Sequence, residues 1–589
     1  MSRARLGAMI CGAIASTACG GGSMRSAAFA QDWQNDGGKS IAAVQARVGS
    51  VRVPESKGLA VGVTGRGIVA TSLDGARHWT HAGAPDARPA IAGGVVAYTS
   101  RGTLFALDAD TGQELWKTSV GDVRLRGVGD DGTTTVASLG SSSGGGSVLV
   151  AVNRAGSVLR KWTPDHEVGI PATAGGIVFA PWGGQYVSAL DVSGGEEAGR
   201  LLARTVVSRA LSIGGSLYFG ESALVRLDPE IGKSARGGAH TVKLPERELP
   251  GKPTWFPNGT QVLPPTAGAP DSIRFYARPA DVDGKLGIDS ERFAATYFRI
   301  AVGFHAHDGA LRWVRTLPAE VIGGDAAPGG YALCDQEGNV WLTEARAGGD
   351  AGHVSLGEPV QGCVVNGGSF HVPQGKDQGT LAEQISGAIN LPETQMATIQ
   401  RFLLRELATN EDPTVTKTLL DLASDARTQP EIVEEARSQL AARRNGLDYM
   451  IEALGRHYDF LSDVLRPPPV GPLADALAAA GEKRAAPLLA AHLNDPSDSP
   501  NDVRRAVHAL LGLATPEELP AVETFFGMYR ATADDEDLIA GVIDAGRILV
   551  TLGGAPGQEV VQRAAQDPLT NSMVREGLGS LAQAGVATQ

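Results

Sequence analysis

Residues 104–116 read LFALDADTGQELW. Leu104, Phe105 and Leu107 are strand formers, Asp108 to Gly112 is a polar turn, and Leu115 and Trp116 open a second strand, so the stretch reads as a hairpin. It recurs. Aligned on the glycine, with Asp108 or its substitute four residues earlier, copies appear as Thr71 with Gly75, Asp191 with Gly195, Asp228 with Gly232 and His305 with Gly309. Trp79, Trp116 and Trp313 each stand four residues after that glycine, and Asn153 with Gly156 leading to Trp162 is a looser copy. From Trp79 to Trp116 is 37 positions and from Trp116 to Trp162 is 46, the period of a four-stranded propeller blade. The expectation is a β-propeller over residues 40–374, with seven blades favoured over six or eight. Residues 360–374 are expected to pair with a neighbour and close the ring, because an open sheet edge invites association.

Outward from that stretch, 589 residues exceed what one core accommodates, and composition divides the chain. All eight tryptophans lie between Trp33 and Trp341, whereas the chain beyond about residue 376 is rich in Ala, Leu, Arg and Glu and reads as helix. The formal charge of −13 argues against nucleic acid as a partner. At the start, Arg3 and Arg5 precede an apolar run from Leu6 to Ala18, the anatomy of a secretion signal over residues 1–30. Ser16-Thr17-Ala18-Cys19 resembles a lipobox, which makes Cys19 a lipidation candidate; Ala28-Phe29-Ala30 suits ordinary signal peptidase and a freely secreted product. Both place the mature chain in a bacterial envelope or outside it. No later stretch is expected to cross a membrane. Cys334 and Cys363 remain as the pair in the mature domains; in an oxidising compartment a disulfide is expected, with buried free thiols as the alternative.

The repeat ALDADTGQELW resembles that of the quinoprotein-type (PQQ-like) β-propellers, over roughly residues 60–360. That family spans quinone-dependent dehydrogenases and a non-catalytic outer-membrane assembly lipoprotein. The resemblance implies a packing role for Trp79, Trp116, Trp162 and Trp313, each sealing the gap to a neighbouring blade, while Asp108, Asp191, Asp228, Gly112 and Gly309 hold turns. The calcium ligands, catalytic Asp and adjacent-cysteine disulfide of the dehydrogenases cannot be placed here, so neither cofactor nor metal is expected. His305 and His307 are assigned to a hairpin turn by their alignment with Asp108 and Asp110, without a third metal ligand. SSSGGGS at 141–147 lacks the ending of a phosphate loop. The Pro- and Gly-rich residues 250–295 are expected to form a long loop, a disordered insertion in the first reading and a place for partner contact in the alternative.

Residues 375–391 are polar and Gly-containing, and are expected to be a linker. Beyond it, Met396, Ile399, Leu403 and Leu407 form one helical stripe, and Thr515-Pro516-Glu517-Glu518 and Ser499-Pro500 are helix starts. A shift of 33 residues lays 476–493 on 509–526, matching Pro487 with Pro520. Residues 392–585 thus resemble HEAT-like helix pairs, about five, stacked into an α-solenoid. RPPPVGP at 466–472 is expected to interrupt the stack. His457, Tyr458 and Asp459 point in different directions on a helix and form no acid–base set.

The resulting expectation is a multidomain β plus α protein, propeller then solenoid, without catalysis. It would be an envelope scaffold that holds protein partners and touches the membrane only through a lipid anchor. A quinone-dependent dehydrogenase and a module binding a ligand or polysaccharide in the propeller channel are the alternatives.

Overall fold

A computed structural model describes residues 41–48, 51, 53–141, 146–202, 206–213, 216–220, 224–226, 252–255, 272–277, 292–305, 309–456 and 467–586. Among them the first part of the chain forms seven sheets, antiparallel except for one parallel pair. Short apolar strands such as Val95–Ser100 and Ile177–Trp182 are buried on both faces, which is why they read as near-continuous Val, Ile and Ala runs. The first blade is built from Leu59–Val63, Ile68–Ser72 and His78–His81, and its inner strand is Gly362–Asn366 from the far end of the propeller. That pairing closes the ring, as the repeat pattern requires. The inner strands touch from the sixth sheet through the seventh and first to the fifth, so the sheets stand as successive blades.

Cys334, in the seventh blade, and Cys363, in the closing strand, are disulfide-bonded with Cα atoms 6.4 Å apart, and both are fully buried. The bond fastens the last blade to the first across the closure. Residues 250–295 are not simply a loop: Lys252–Trp255 pairs with Ser272–Ala277, and Arg292–Tyr297 continues the sixth sheet.

Helix α1 (Ile41–Val48) precedes the first blade. After the propeller come α2 (Leu381–Ile389), α3 (Ala397–Ala408), α4 (Pro413–Ser424), α5 (Pro430–Ala442) and α6 (Leu447–Leu454). They are followed by α7 (Val470–Ala480), α8 (Ala485–His492), α9 (Pro500–Leu513), α10 (Leu519–Tyr529), α11 (Glu536–Gln566) and α12 (Ser572–Val586). The helices stack in two rows: α3, α5, α7, α9 and α11 touch in succession, with α4, α6, α8 and α10 alongside.

Three expectations change. The presumed linker contains α2, started by a capping box in which Thr380 and Glu383 exchange hydrogen bonds. The proline run does not interrupt the stack, because α7 packs on both α5 and α9; proline is tolerated at a helix start, where no intrahelical donor is lost. Glu536–Gln566 is long and apolar enough by length and composition to cross a membrane. It is nevertheless bent at Gly554, where φ is 57°, and buries Ile539, Val542, Ala545, Ile548 and Leu549 within the stack.

The two halves share a core. Tyr297, Ile300, Val302 and Val314 of the sixth blade pack in one cluster with Ile385, Ile389, Ile399 and Phe402. Phe304 meets Phe402 edge-on at 6.2 Å, Arg299 pairs with Glu393 at 2.5 Å, and Gln384 accepts the edge-strand N–H of Val314 at 2.9 Å.

Candidate functional site

The repeated Asp-turn-Gly-Trp element makes the joints between blades. In its best copy, Asp108 accepts from the backbone N–H groups of Asp110 and Thr111 and from the Thr111 hydroxyl, while the Gly112 N–H returns to the Asp108 carbonyl at 2.8 Å. Gly112 has φ 71°, which a side chain rarely adopts. It has a second reason to be glycine: a Cβ there would lie 2.4 Å from the ring of Trp79, which belongs to the preceding blade. Trp79 also donates its indole N–H to the Ala109 carbonyl at 3.0 Å. Each tryptophan therefore closes over the turn of the next blade, not its own.

Trp116 lies against Gly156, and Trp313 against Gly348 with its N–H on the Ala345 carbonyl at 3.0 Å. Trp79, Trp116 and Trp313 are 7%, 5% and 1% exposed, so they are filled into the gap. Trp162 differs. Position four after Gly156 is Arg160, and its Nε donates to the Val192 carbonyl at 2.9 Å, just as Trp79 addresses Ala109. Trp162 is only half-buried and reaches the Gly195 carbonyl at 3.0 Å. A guanidinium thus fills the joint expected for Trp162. In the first blade the turn is one residue tighter, so Gly75 returns to Ser72 and not to Thr71.

Asp191 accepts from the Ser193 N–H and hydroxyl and pairs with Arg47 of α1. Burial acts to raise its pKa, but those hydrogen bonds outweigh it and hold the carboxyl down at about 2. The Gly309 N–H returns to the His305 carbonyl at 2.8 Å, which puts His305 in the turn position of Asp108. His307, Asp228, Cys19, the glycine tract at 142–145 and residues 457–459 lie outside the described residues.

The propeller axis holds a cavity of about 140 Å³. The N-terminal segment lines it with Val53, Pro54, Glu55 and Ser56 after α1 has docked Val44 and Val48 on the fourth blade. From there the segment passes Gly132 of the third blade and meets Gly368 and Ser369 beside the first. Asp130, Arg209 and Asp325 are the charged blade residues of the lining, and none of its described residues is aromatic. Burial pushes the Asp130 carboxyl upward against the pull of Arg154 and Thr135.

In the helical half, buried and half-buried polar side chains capture carbonyls at helix ends. Gln400 shares its two amide N–H groups among the carbonyls of Ala388, Ile389 and Leu391 after α2; Arg443 donates to Ala408, Asn410 and Asp412 after α3; Asn571 donates to Ala533 beyond α10. His492 does the same for Leu454 at the end of α6. With Asp495 and Asp498 it forms the one described trio of metal-ligating types within 4.8 Å, but both its ring nitrogens already face hydrogen-bond acceptors. Sequence reading missed these clamps, since a polar residue in a helical pattern carries no mark of burial.

Residues 30–118 and 65–235 match a family model described as outer membrane protein assembly factor BamB. The stretch 104–116 lies in both overlapping matches, as a repeated unit produces. No curated protein matches. Among solved structures, BamB from Moraxella catarrhalis is 15% identical over 53% of this chain and 94% of that chain, with TM-score 0.28. Hsv2 from Kluyvelomyces marxianus is 10% identical over 44% and 77%, with TM-score 0.27.

Proposed function

We propose that this chain is a non-enzymatic scaffold of the bacterial cell envelope that holds protein partners on its propeller and solenoid surfaces. The observation that carries this reading is how the repeated residues are used. The Asp, Gly and Trp set is consumed in holding blade to blade, and Gln400, Arg443 and His492 of the helical half are consumed in holding helix ends. What is left to present is surface, and the shared core at the sixth blade fixes one surface relative to the other. The match to a family described as an outer-membrane assembly factor supports the same role and location. Fold alone does not fix function.

Cross-linking in the native envelope, followed by identification of the linked proteins, tests the proposal: defined partners are expected with the full chain. Failure to recover any partner above an unrelated envelope protein would count against it. Reduction of a dye on adding the quinone and calcium would replace it with an oxidoreductase. Labelling with radioactive fatty acid, with Cys19→Ala as control, tests the anchor.

A further inference from the structure

We infer that His492 is a proton-dependent clasp: doubly protonated in the folded chain, it ties the end of α6 to the turn between α8 and α9, and loss of a proton unties it. The ring is 1% exposed. Its Nε2 lies 2.8 Å from the Leu454 carbonyl oxygen and its Nδ1 lies 3.0 Å from Oδ2 of Asp498. A carbonyl and a carboxylate only accept. A neutral imidazole carries one N–H, so one of the two contacts would set lone pair against lone pair; the imidazolium makes both bonds.

The Asp498 carboxylate, 4% exposed, supplies the compensating charge within the same buried space. The charged groups acting on the ring are Asp498 and, more remotely, Asp495, both in the turn after α8; α6 presents the Leu454 carbonyl. Burial works against the charged ring, but the bonds to Asp498 and Leu454 and the two carboxylates outweigh it, so its pKa stands above the ordinary 6.5. A group whose pKa is raised by folding contributes its full stability below the unfolded value and loses it as pH rises through the folded one. The clasp is therefore closed in acid and opens as pH rises through a folded pKa above the ordinary 6.5.

Its counterparts make the point specific. Gln400, Arg443 and Asn571 capture helix-end carbonyls in the same way, and none of them changes charge near neutral pH. Of the four, the joint of α6 with α8 alone answers to protons, so any surface spanning those helices stiffens or slackens with the pH outside the cell.

The test is hydrogen exchange on the full chain between pH 6 and 9, corrected for intrinsic exchange. Peptides covering 447–454 and 492–499 should lose protection by on the order of tenfold per pH unit above the folded pKa, while those around Gln400 and Arg443 hold theirs. His492→Gln keeps a donor for Leu454 but cannot titrate, and should flatten the profile. Asp498→Asn removes the charge and should move the loss to lower pH. A flat wild-type profile, an unchanged slope in His492→Gln, or an unmoved onset in Asp498→Asn overturns the inference. So does loosening of the joint by a chelator at pH 6, which would put a metal ion where the proton is assigned.

Discussion

Trp313 and Arg443 do comparable work in the two halves of the chain, each reaching from one repeat into the next, and they do it with opposite chemistry. In a blade the strands satisfy one another's backbone groups, so a joint needs shape above all: a flat ring over a glycine, with one indole N–H to spare. A helix leaves its last carbonyls without partners, so a joint between helix pairs must bring donors into a buried place. Charge divides the same way. Residues 375–589 hold 18 Lys and Arg against 31 Asp and Glu, whereas residues 1–374 hold 34 of each, so the whole −13 falls in the helical half. Apolar joints are indifferent to pH and salt; in an acidic array the charged joint at Arg443 feels salt, and the one at His492 feels protons as well.

The largest expected effect tests the apolar side. Trp313→Ala should cost about 3–5 kcal/mol in urea unfolding, the range for a buried tryptophan that leaves a cavity. A loss under 1 kcal/mol would mean that the blades hold together without their rings. Next is the closure. Cys334→Ser with Cys363→Ser opens a disulfide of sequence separation 29 and should lower stability by about 2–4 kcal/mol, measured against reduced and oxidised wild type. Reduced wild type should match the double variant, and a difference between them would mean that serine perturbs the buried site by itself. On the polar side, Arg443→Met keeps length and removes the donors for Ala408, Asn410 and Asp412; the last still accepts from the Val415 N–H, so the expected cost of about 2–3 kcal/mol comes from the stranded carbonyls of Ala408 and Asn410. If methionine is tolerated there, the helical joints are packing joints too, and the contrast fails.

The propeller was legible because its joint repeats in the sequence at a fixed spacing: Asp108, Gly112 and Trp116 announce it, and degenerate copies follow. Which ring meets which glycine was not legible, since Gly112 and Trp79 belong to different repeats and only the ring of blades brings them together. The seventh-blade turn, Glu344 to Gly348, escaped because glutamate stands for aspartate and no tryptophan follows at position 352. Arg160 escaped because a guanidinium does not look like an indole, although it reaches the equivalent carbonyl. In the helical half the stripe of Ile399, Leu403 and Leu407 was plain. Gln400 beside it reads as a solvated face until the end of α2 is seen against it. The capping box at Thr380 and Glu383 was a usable sign of α2, masked by a polar, Gly-containing context.

The finest test stays within the apolar joints and asks how much of each is shape. Trp116 and Trp313 occupy equivalent positions and are both buried, but the indole N–H of Trp116 has no partner while that of Trp313 bonds the Ala345 carbonyl. Replacing either by phenylalanine removes similar volume. Trp313→Phe strands a carbonyl as well, whereas Trp116→Phe relieves a buried donor. Trp313→Phe should therefore cost about 1 kcal/mol more than Trp116→Phe in matched urea curves. Equal costs would reduce the blade joint to shape alone and deepen its contrast with Arg443; a larger gap would bring the two kinds of joint closer together.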